Sequence, residues 1–420
     1  MKDRSENRPG YKETKVGWIP DEWGIGSLGD IASVFLSNVD KKSNSNEVDV
    51  FLCNYTDVYY NDYIKPDIDF MKATASKREI EKYKLRSGDV IITKDSETKE
   101  DIAVSAVVKE ELPNLICGYH LAIIRPKKNR ICNEYLNKLF RLPIIRYSFS
   151  KLANGVTRFG LTLSAINNAL IPLPTLPEQI KIAEILYIWD EAIEQSRKLI
   201  EAKKRHKKAL MQQLLTGKRL YRSYEYDNWN VQLLGDLVER VSRPIPKPQN
   251  PYLSIGIRSH GNGTFQKMVE QPEKVMMDTL YRIESNDLIV NITFAWEGAI
   301  AIVSEQDSGG LVSHRFPTYR FRKTEADIDF FRNLILTKRF IWDLGLISPG
   351  GAGRNRVLSQ KDFLKLKVFV PLVAVQKEIG EILAAADKEL HLCEDYLKAL
   401  EKQKCGLMQK LLTGKVRVKP

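Results

Sequence analysis

Two stretches of the chain carry apolar residues at the alternating three-and-four spacing of a one-sided helix. In the first they fall at Ile182, Ile185, Trp189, Ile193, Leu199, Ile200, Leu210 and Leu214. In the second they fall at Ile379, Ile382, Ala386, Leu390, Cys393, Leu397, Leu400, Leu407 and Leu411. A glycine follows each pattern, Gly217 or Gly414, suited to the positive φ of the residue that ends a helix. About forty residues of helix reach roughly 60 Å. A single apolar stripe of that length needs a partner, and the two stretches are the natural partners of each other. The plainer alternative is that each packs only on its own domain.

The stretches are copies. At a fixed offset of 197, residues 179–218 align with 376–415 without a gap, and 16 of 40 positions are identical. Asp190 matches Asp387, and LMQQLLTGK at 210–218 returns as LMQKLLTGK at 407–415. Weaker echoes lie outside them: residues 23–31 resemble 229–237, and 88–92 resemble 286–290. Ahead of each helix comes a glycine-rich basic loop, ANGVTRFGLT at 153–162 or PGGAGRNRVLS at 349–359, and then a Pro-ended strand, LIPLP or VFVP. The rest of each half reads as mixed. Strand-like runs at 90–93, 103–108, 122–125, 288–292, 299–303 and 318–321 are followed by helical patterns at 134–142 and 327–336. The fold class is α+β with curved sheets, doubled by an internal pseudo-two-fold repeat.

Lys and Arg outnumber Asp and Glu by 65 to 53, a net charge of +12 that favours a polyanionic partner. Cys53, Cys117, Cys132, Cys393 and Cys405 form no CxxC and no Cys/His cluster, against both a disulfide framework and structural zinc. There is no signal-like N-terminus and no run of 18 apolar residues, so the expectation is a cytoplasmic protein with no membrane partner.

Reading DNA takes cations for phosphates and forked or amide side chains for base edges. The first glycine-rich loop offers Asn154, Thr157 and Arg158; the second offers Arg354, Asn355 and Arg356. Lys94 and Thr293 follow equivalent strands, and Arg258 and Asn262 lie in another polar loop. His120 and His314 sit beside strand-like runs, where a structural role is the simpler account. Arg197–Arg219 holds nine Lys or Arg against one Glu, a solvated face or a polyanion contact. Asp89, Glu97 and Lys99 fit the loose D…ExK spacing of metal-dependent nucleases, although the second half keeps Asp287 without the ExK. No adenine-flipping tetrapeptide, glycine-rich cofactor loop or GxxxxGK[ST] phosphate loop is present, which favours a binding protein over an enzyme.

The ordered set resembles one family, the specificity subunits of type I restriction-modification systems. GYKETKVGWIPDEW at 10–23 is similar to that family's start, LPEQIKIAEIL at 176–186 to the entry of its central conserved helix, and LLTGK closes both helices. The resemblance spans essentially the whole chain. It implies a target-recognition domain at 1–176, a central helical spacer at 177–222, a second target-recognition domain at 223–373 and a C-terminal spacer at 374–420. It implies that the spacers pair as an antiparallel coiled coil through Ile182, Ile185, Trp189, Ile193, Leu210, Leu214, Ile379, Ile382, Leu390, Leu397, Leu407 and Leu411, and so fix the gap between two half-sites. The implied partners are double-stranded DNA, two methyltransferase subunits acting on adenine N6 and, where the complex cuts DNA, two restriction subunits. This chain would hold no cofactor; S-adenosylmethionine would belong to the methyltransferase, and ATP and Mg to the restriction subunit. One departure stands out: Pro177 and Glu178 have no match in the second copy, which leaves that helix's start open. The competing readings are a coiled-coil adaptor for proteins and the nuclease built on Asp89, Glu97 and Lys99.

Overall fold

The computed structural model describes residues 8–216, 229–351 and 356–419. The chain divides into two units, Met1–Ser196 with Tyr396–Pro420, and Arg197–Asp395. In the first, a five-stranded sheet runs in the order Ala32–Leu36, Leu121–Pro126, Val90–Thr93, Ser105–Val108 and Tyr63–Ile64, antiparallel except for its last pair. Successive side chains on a strand point to opposite faces, and here both faces are covered. Val90, Ile92, Ala122 and Ile124 face one core with the helices, whereas Ile91, Leu121 and Ile123 face another. That second core lies against a three-stranded sheet of Leu115–Cys117, Val48–Cys53 and Met71–Ala75. Burial on both faces explains why these strands read as continuous apolar runs rather than alternating ones.

The second unit repeats the scheme. A four-stranded antiparallel sheet orders Val238–Val241, Thr318–Phe321, Leu288–Val290 and Ile300–Ile302. A five-stranded mixed sheet, Pro244–Pro246, Thr279–Arg282, Leu311–Val312, Tyr252–Ile257 and Thr264–Val269, shares the smaller core around Ile255, Ile289 and Ala301.

The long helices are Leu176–Leu214 and Val373–Leu412, and the unit boundary falls inside both. The first unit therefore holds the start of one helix and the end of the other, and the second unit holds the converse. Ion pairs cross between the helices in each: Lys404 with Asp190 in the first, Lys207 with Asp387 and Lys203 with Glu389 (2.6 Å) in the second. Residue numbers rise along one helix as they fall along its neighbour, so the pairing is antiparallel. No helix among the described residues is long and apolar enough to cross a membrane.

The apolar stripe does two jobs. Toward the helix ends it enters the domain cores: Ile182, Ile185, Leu407 and Leu411 join the core of the first unit, and Leu210, Leu214 and Ile379 that of the second. Between them Ile193, Ile200 and Leu400 are buried, and Trp189, Leu390 and Leu397 half-buried. Ile382 departs from the expected face and is 38% exposed. A Cβ on the preceding Gly380 would meet the Asp327 side chain and the Phe330 backbone, so the helix lies flush on that turn and directs Leu383 into the core.

Residues identical between the copies are those that stitch. Gln179 accepts from the Cys132 N–H and donates to the Pro174 carbonyl; Gln376 accepts from the Asp327 N–H and donates to the Pro371 carbonyl, each at 2.9 Å. The open start of the second helix resolves at Val373, with buried Val375 in the place of Glu178. Glu178 instead accepts from the Trp23 indole (3.1 Å) and from Arg417 (2.7 and 3.0 Å). Gly414, at φ +69°, packs so closely that a Cβ would collide with the Pro20 ring, and its carbonyl accepts from the Tyr11 hydroxyl at 3.0 Å. Gly217 lies outside the described residues.

Candidate nucleic-acid interface

In the first unit Asn154 and Gly160 exchange backbone hydrogen bonds of 3.0 and 2.9 Å, closing the residues between them into a projecting loop. Gly155, at φ +139°, admits no side chain because a Cβ would collide with the Arg158 carbonyl. Asn154, Thr157 and Arg158 are exposed on this loop, as is Val156, at 92%. The returning strand Phe159–Gly160 pairs with Asp95–Ser96, which brings the loop beside Lys94. Lys94 is committed, with its ammonium 2.6 Å from Asp95 and 4.7 Å from the Tyr119 ring centroid. The other Asp95 oxygen meets His120 Nδ1, so the histidine is paired as its simpler account required. Sequence reasoning missed the tyrosines here. Tyr55 stacks on Tyr59 with centroids 5.5 Å apart, and its hydroxyl lies 3.3 Å from Ser96. Burial holds that hydroxyl above its ordinary pKa, so it keeps its proton at neutral pH. Tyr55, Tyr119 and His120 line a cleft of about 130 Å³ with Asp40 and Lys41.

In the second unit the exposed loop of Arg258 and Asn262 turns through His260, Gly261 and Gly263, all at positive φ. The Asn262 amide donates to the Ser259 carbonyl at 3.0 Å, and the Arg258 guanidinium donates to the Thr264 carbonyl. Bonds from the His260 and Gly261 N–H groups to the Glu297 and Gly298 carbonyls (2.7 and 3.0 Å) dock this loop on the turn that contains Thr293. Thr293 is part of that turn's own bonding: its N–H donates to Asn291, and its carbonyl accepts from the Trp296 indole at 3.2 Å. Arg356 closes the group. Its guanidinium donates to the carbonyls of Ser348 (3.0 Å) and Gly345 (2.7 Å), capping the helix Lys338–Leu346, and lies 5.1 Å from the Trp296 ring. Arg354 and Asn355 lie outside the described residues.

The nuclease reading is corrected by the position of Asp89. Its carboxylate is buried and forked by Arg125 at 2.7 and 2.8 Å, and it accepts from the Arg86 N–H at 2.9 Å. Asp287 is forked by Arg243 at 2.7 and 3.2 Å and accepts from the Glu284 N–H in the same way. The repeated aspartate is a turn anchor, preceded in each half by a residue at positive φ, Gly88 or Asn286. Glu97 stands in solvent, and among the described residues no cluster of three or more His, Cys, Asp or Glu could hold a metal. Part of the basic run is spent on the facing helix, where Lys203 and Lys207 meet Glu389 and Asp387.

The family described as "Type I restriction modification DNA specificity domain" matches residues 20–204 and again 226–402. Two curated relatives come from Methanocaldococcus jannaschii. The putative type I restriction enzyme MjaX specificity subunit is 25% identical, covering 97% of each chain. The MjaVIII specificity subunit is 23% identical over 97% of this chain and 96% of its own. The crystal structure of a type I restriction-modification S subunit from M. genitalium shares the fold with a TM-score of 0.54 at 13% identity, covering 93% of this chain and 96% of that one. A structure from work on complex assembly and conformational transition of the type I R-M system gives 0.56 at 15% identity, covering 95% and 99%.

Proposed function

The chain belongs to the type I restriction-modification DNA specificity family, and from that premise we propose that it reads an asymmetric, two-part DNA site, one half with each unit. As the specificity subunit of such a system, it is the non-catalytic component. The observation that carries the two-part reading is a contrast within the repeat. Residues that stitch the helices, Gln179 and Gln376, Asp190 and Asp387, Lys207 and Lys404, are identical, whereas the glycine-rich sequences at equivalent places, 154–158 and 349–356, are unlike. A shared frame carrying two unlike loops fits a target with two unlike halves. Asn154, Thr157, Arg158, Arg258 and Asn262 are the exposed polar groups we assign to DNA; Lys94, Thr293 and Arg356 are engaged within the protein, with Asp95, with Asn291 and Trp296, and with the Ser348 and Gly345 carbonyls. The long helices set the gap. Two methyltransferase subunits dock on the repeated frame and methylate adenine N6 with S-adenosylmethionine; restriction subunits using ATP and Mg join where the complex cuts DNA.

The test is to map adenine methylation in cells with and without the gene. A split motif methylated only when the gene is present supports the proposal. An unchanged methylation pattern overturns it and leaves a protein-binding adaptor as the better account.

A further inference from the structure

The helix ahead of each glycine-rich loop presents an aromatic ring to solvent at one equivalent position. These helices are Pro143–Leu152 and Lys338–Leu346, and they superpose in sequence at an offset of 195. Ile145 and Phe149 are buried in the first, as are their equivalents Phe340 and Leu344 in the second. The next loop turns on Gly155 (φ +139°) or Gly350 (φ +150°), again equivalent. Between the buried anchors stand Tyr147, 60% exposed, and Trp342, 66% exposed. A large ring kept in water on the same face of both domains is not explained by either core.

The surroundings select the occupant. The Lys151 ammonium lies 4.3 Å from the Tyr147 ring centroid. Trp342 lines an open groove of about 490 Å³ with Trp296, Lys338 and Arg356. Cations interleaved with aromatic rings suit a partner that offers phosphates beside apolar sugars and base edges. Two copies of one protein partner would ask for the same surface twice, yet these faces share only the ring: Lys151 is replaced by Leu346, and Arg146 by Ile341. A sugar face or a base edge accepts any ring, whatever its neighbours.

We propose that Tyr147 and Trp342 are equivalent, sequence-tolerant contacts to the DNA duplex, each laying its ring on base edges and sugars of the half-site its own domain reads, with the exposed Lys151 and Lys338 on the flanking phosphates. This rests on the DNA reading above and adds residues that hold affinity without setting specificity.

The test uses the chain assembled with its methyltransferase and labelled duplexes carrying the methylated motif or single-base mismatches. Tyr147→Ala and Trp342→Ala each weaken binding to the matched duplex by roughly 5- to 30-fold, the cost of truncating one aromatic side chain that an interface buries. The ratio of matched to mismatched binding stays within about twofold of the wild type, and Tyr147→Phe and Trp342→Phe restore affinity. If the wild-type complex binds the motif and the alanine variants bind it equally well, this inference alone fails. Alanine variants that bind DNA normally but lose the methyltransferase mark the face as a protein dock and overturn it too. A wild-type complex that does not discriminate between duplexes overturns the DNA reading and this inference with it.

Discussion

Asp190 and Asp387 hold the same place in the repeat and meet the same partner type, yet their surroundings give them different weight. Asp190 is buried with Lys138 at 2.5 Å, Lys404 and the Tyr63 hydroxyl at 2.7 Å, and Lys138 is itself only 1% exposed. Asp387 meets Lys207 nearer the surface, and the residue equivalent to Lys138 is Asn333. Removing one member of a buried ion cluster strands the others, at about 3–5 kcal/mol, whereas an exposed pair contributes about 0.2–1 kcal/mol. Asp190→Asn should therefore destabilise the first unit severely and Asp387→Asn the second unit slightly, as chemical denaturation followed by domain-resolved hydrogen exchange would report. The pH dependence has a definite sign. Burial alone would raise the Asp190 carboxyl, but Lys138 and Lys404 outweigh it and hold it below the ordinary range. Its contribution is full above about pH 3.9, the ordinary aspartate value, and is lost as pH falls through the lower folded-state value. The stability gap between wild type and Asp190→Asn should stay constant from neutral pH down to that window and close only below it. A gap that closes near pH 6 would show that another group governs the cluster.

At the scale of elements, the repeat, the long helices and the strands Val90–Thr93 and Thr318–Phe321 were legible because each leaves a periodic or duplicated trace. The short pairings were not. Tyr63–Ile64 and Leu311–Val312 are two-residue strands whose partners lie far off in sequence, and no local pattern distinguishes them from loop. For the same reason LLTGK reads in sequence as a helix stop whose first Leu lies on the pairing stripe, and nothing in it points to the other end of the chain. In the structure Met408, Leu411 and Leu412 complete the core around Ile19 and Trp23, almost 400 residues earlier, and Arg417 reaches Glu178. A core shared by the two ends of a chain leaves no local trace. Those three side chains stabilise the first unit by roughly 5–9 kcal/mol, at about 1.5–3 each, which rivals a domain's whole stability. Ending the chain after Gly406 should leave the first unit open to limited proteolysis while Arg197–Asp395 stays protected. Equal protection of both would mean that the C-terminal residues add little to that core.

For the whole molecule the consequence lies in where the helices cross from one unit to the other. Each unit keeps its own ion pairs between the helices, Asp190 with Lys404 in one and Asp387 with Lys207 in the other, and the boundary after Ser196 and Asp395 falls between them. Residues added at both points lengthen the two helices together and leave every one of those pairs intact. Residues added to one helix alone force the other to slip or bulge, because the pairs at both ends cannot then be kept at once. Four residues make about one turn, roughly 6 Å of rise, so the apolar stripe stays nearly on its face. If the helices are the ruler of a two-part site, a paired four-residue insertion widens the unspecified gap in the methylated motif and leaves the bases of both half-sites unchanged. The matching single insertion lowers thermal stability and yields less assembled complex. Sequencing methylated adenines in cells carrying each version reads both outcomes. An unaltered gap with the paired insertion, in a complex that still methylates, would assign the spacing to the partner subunits instead of to this chain.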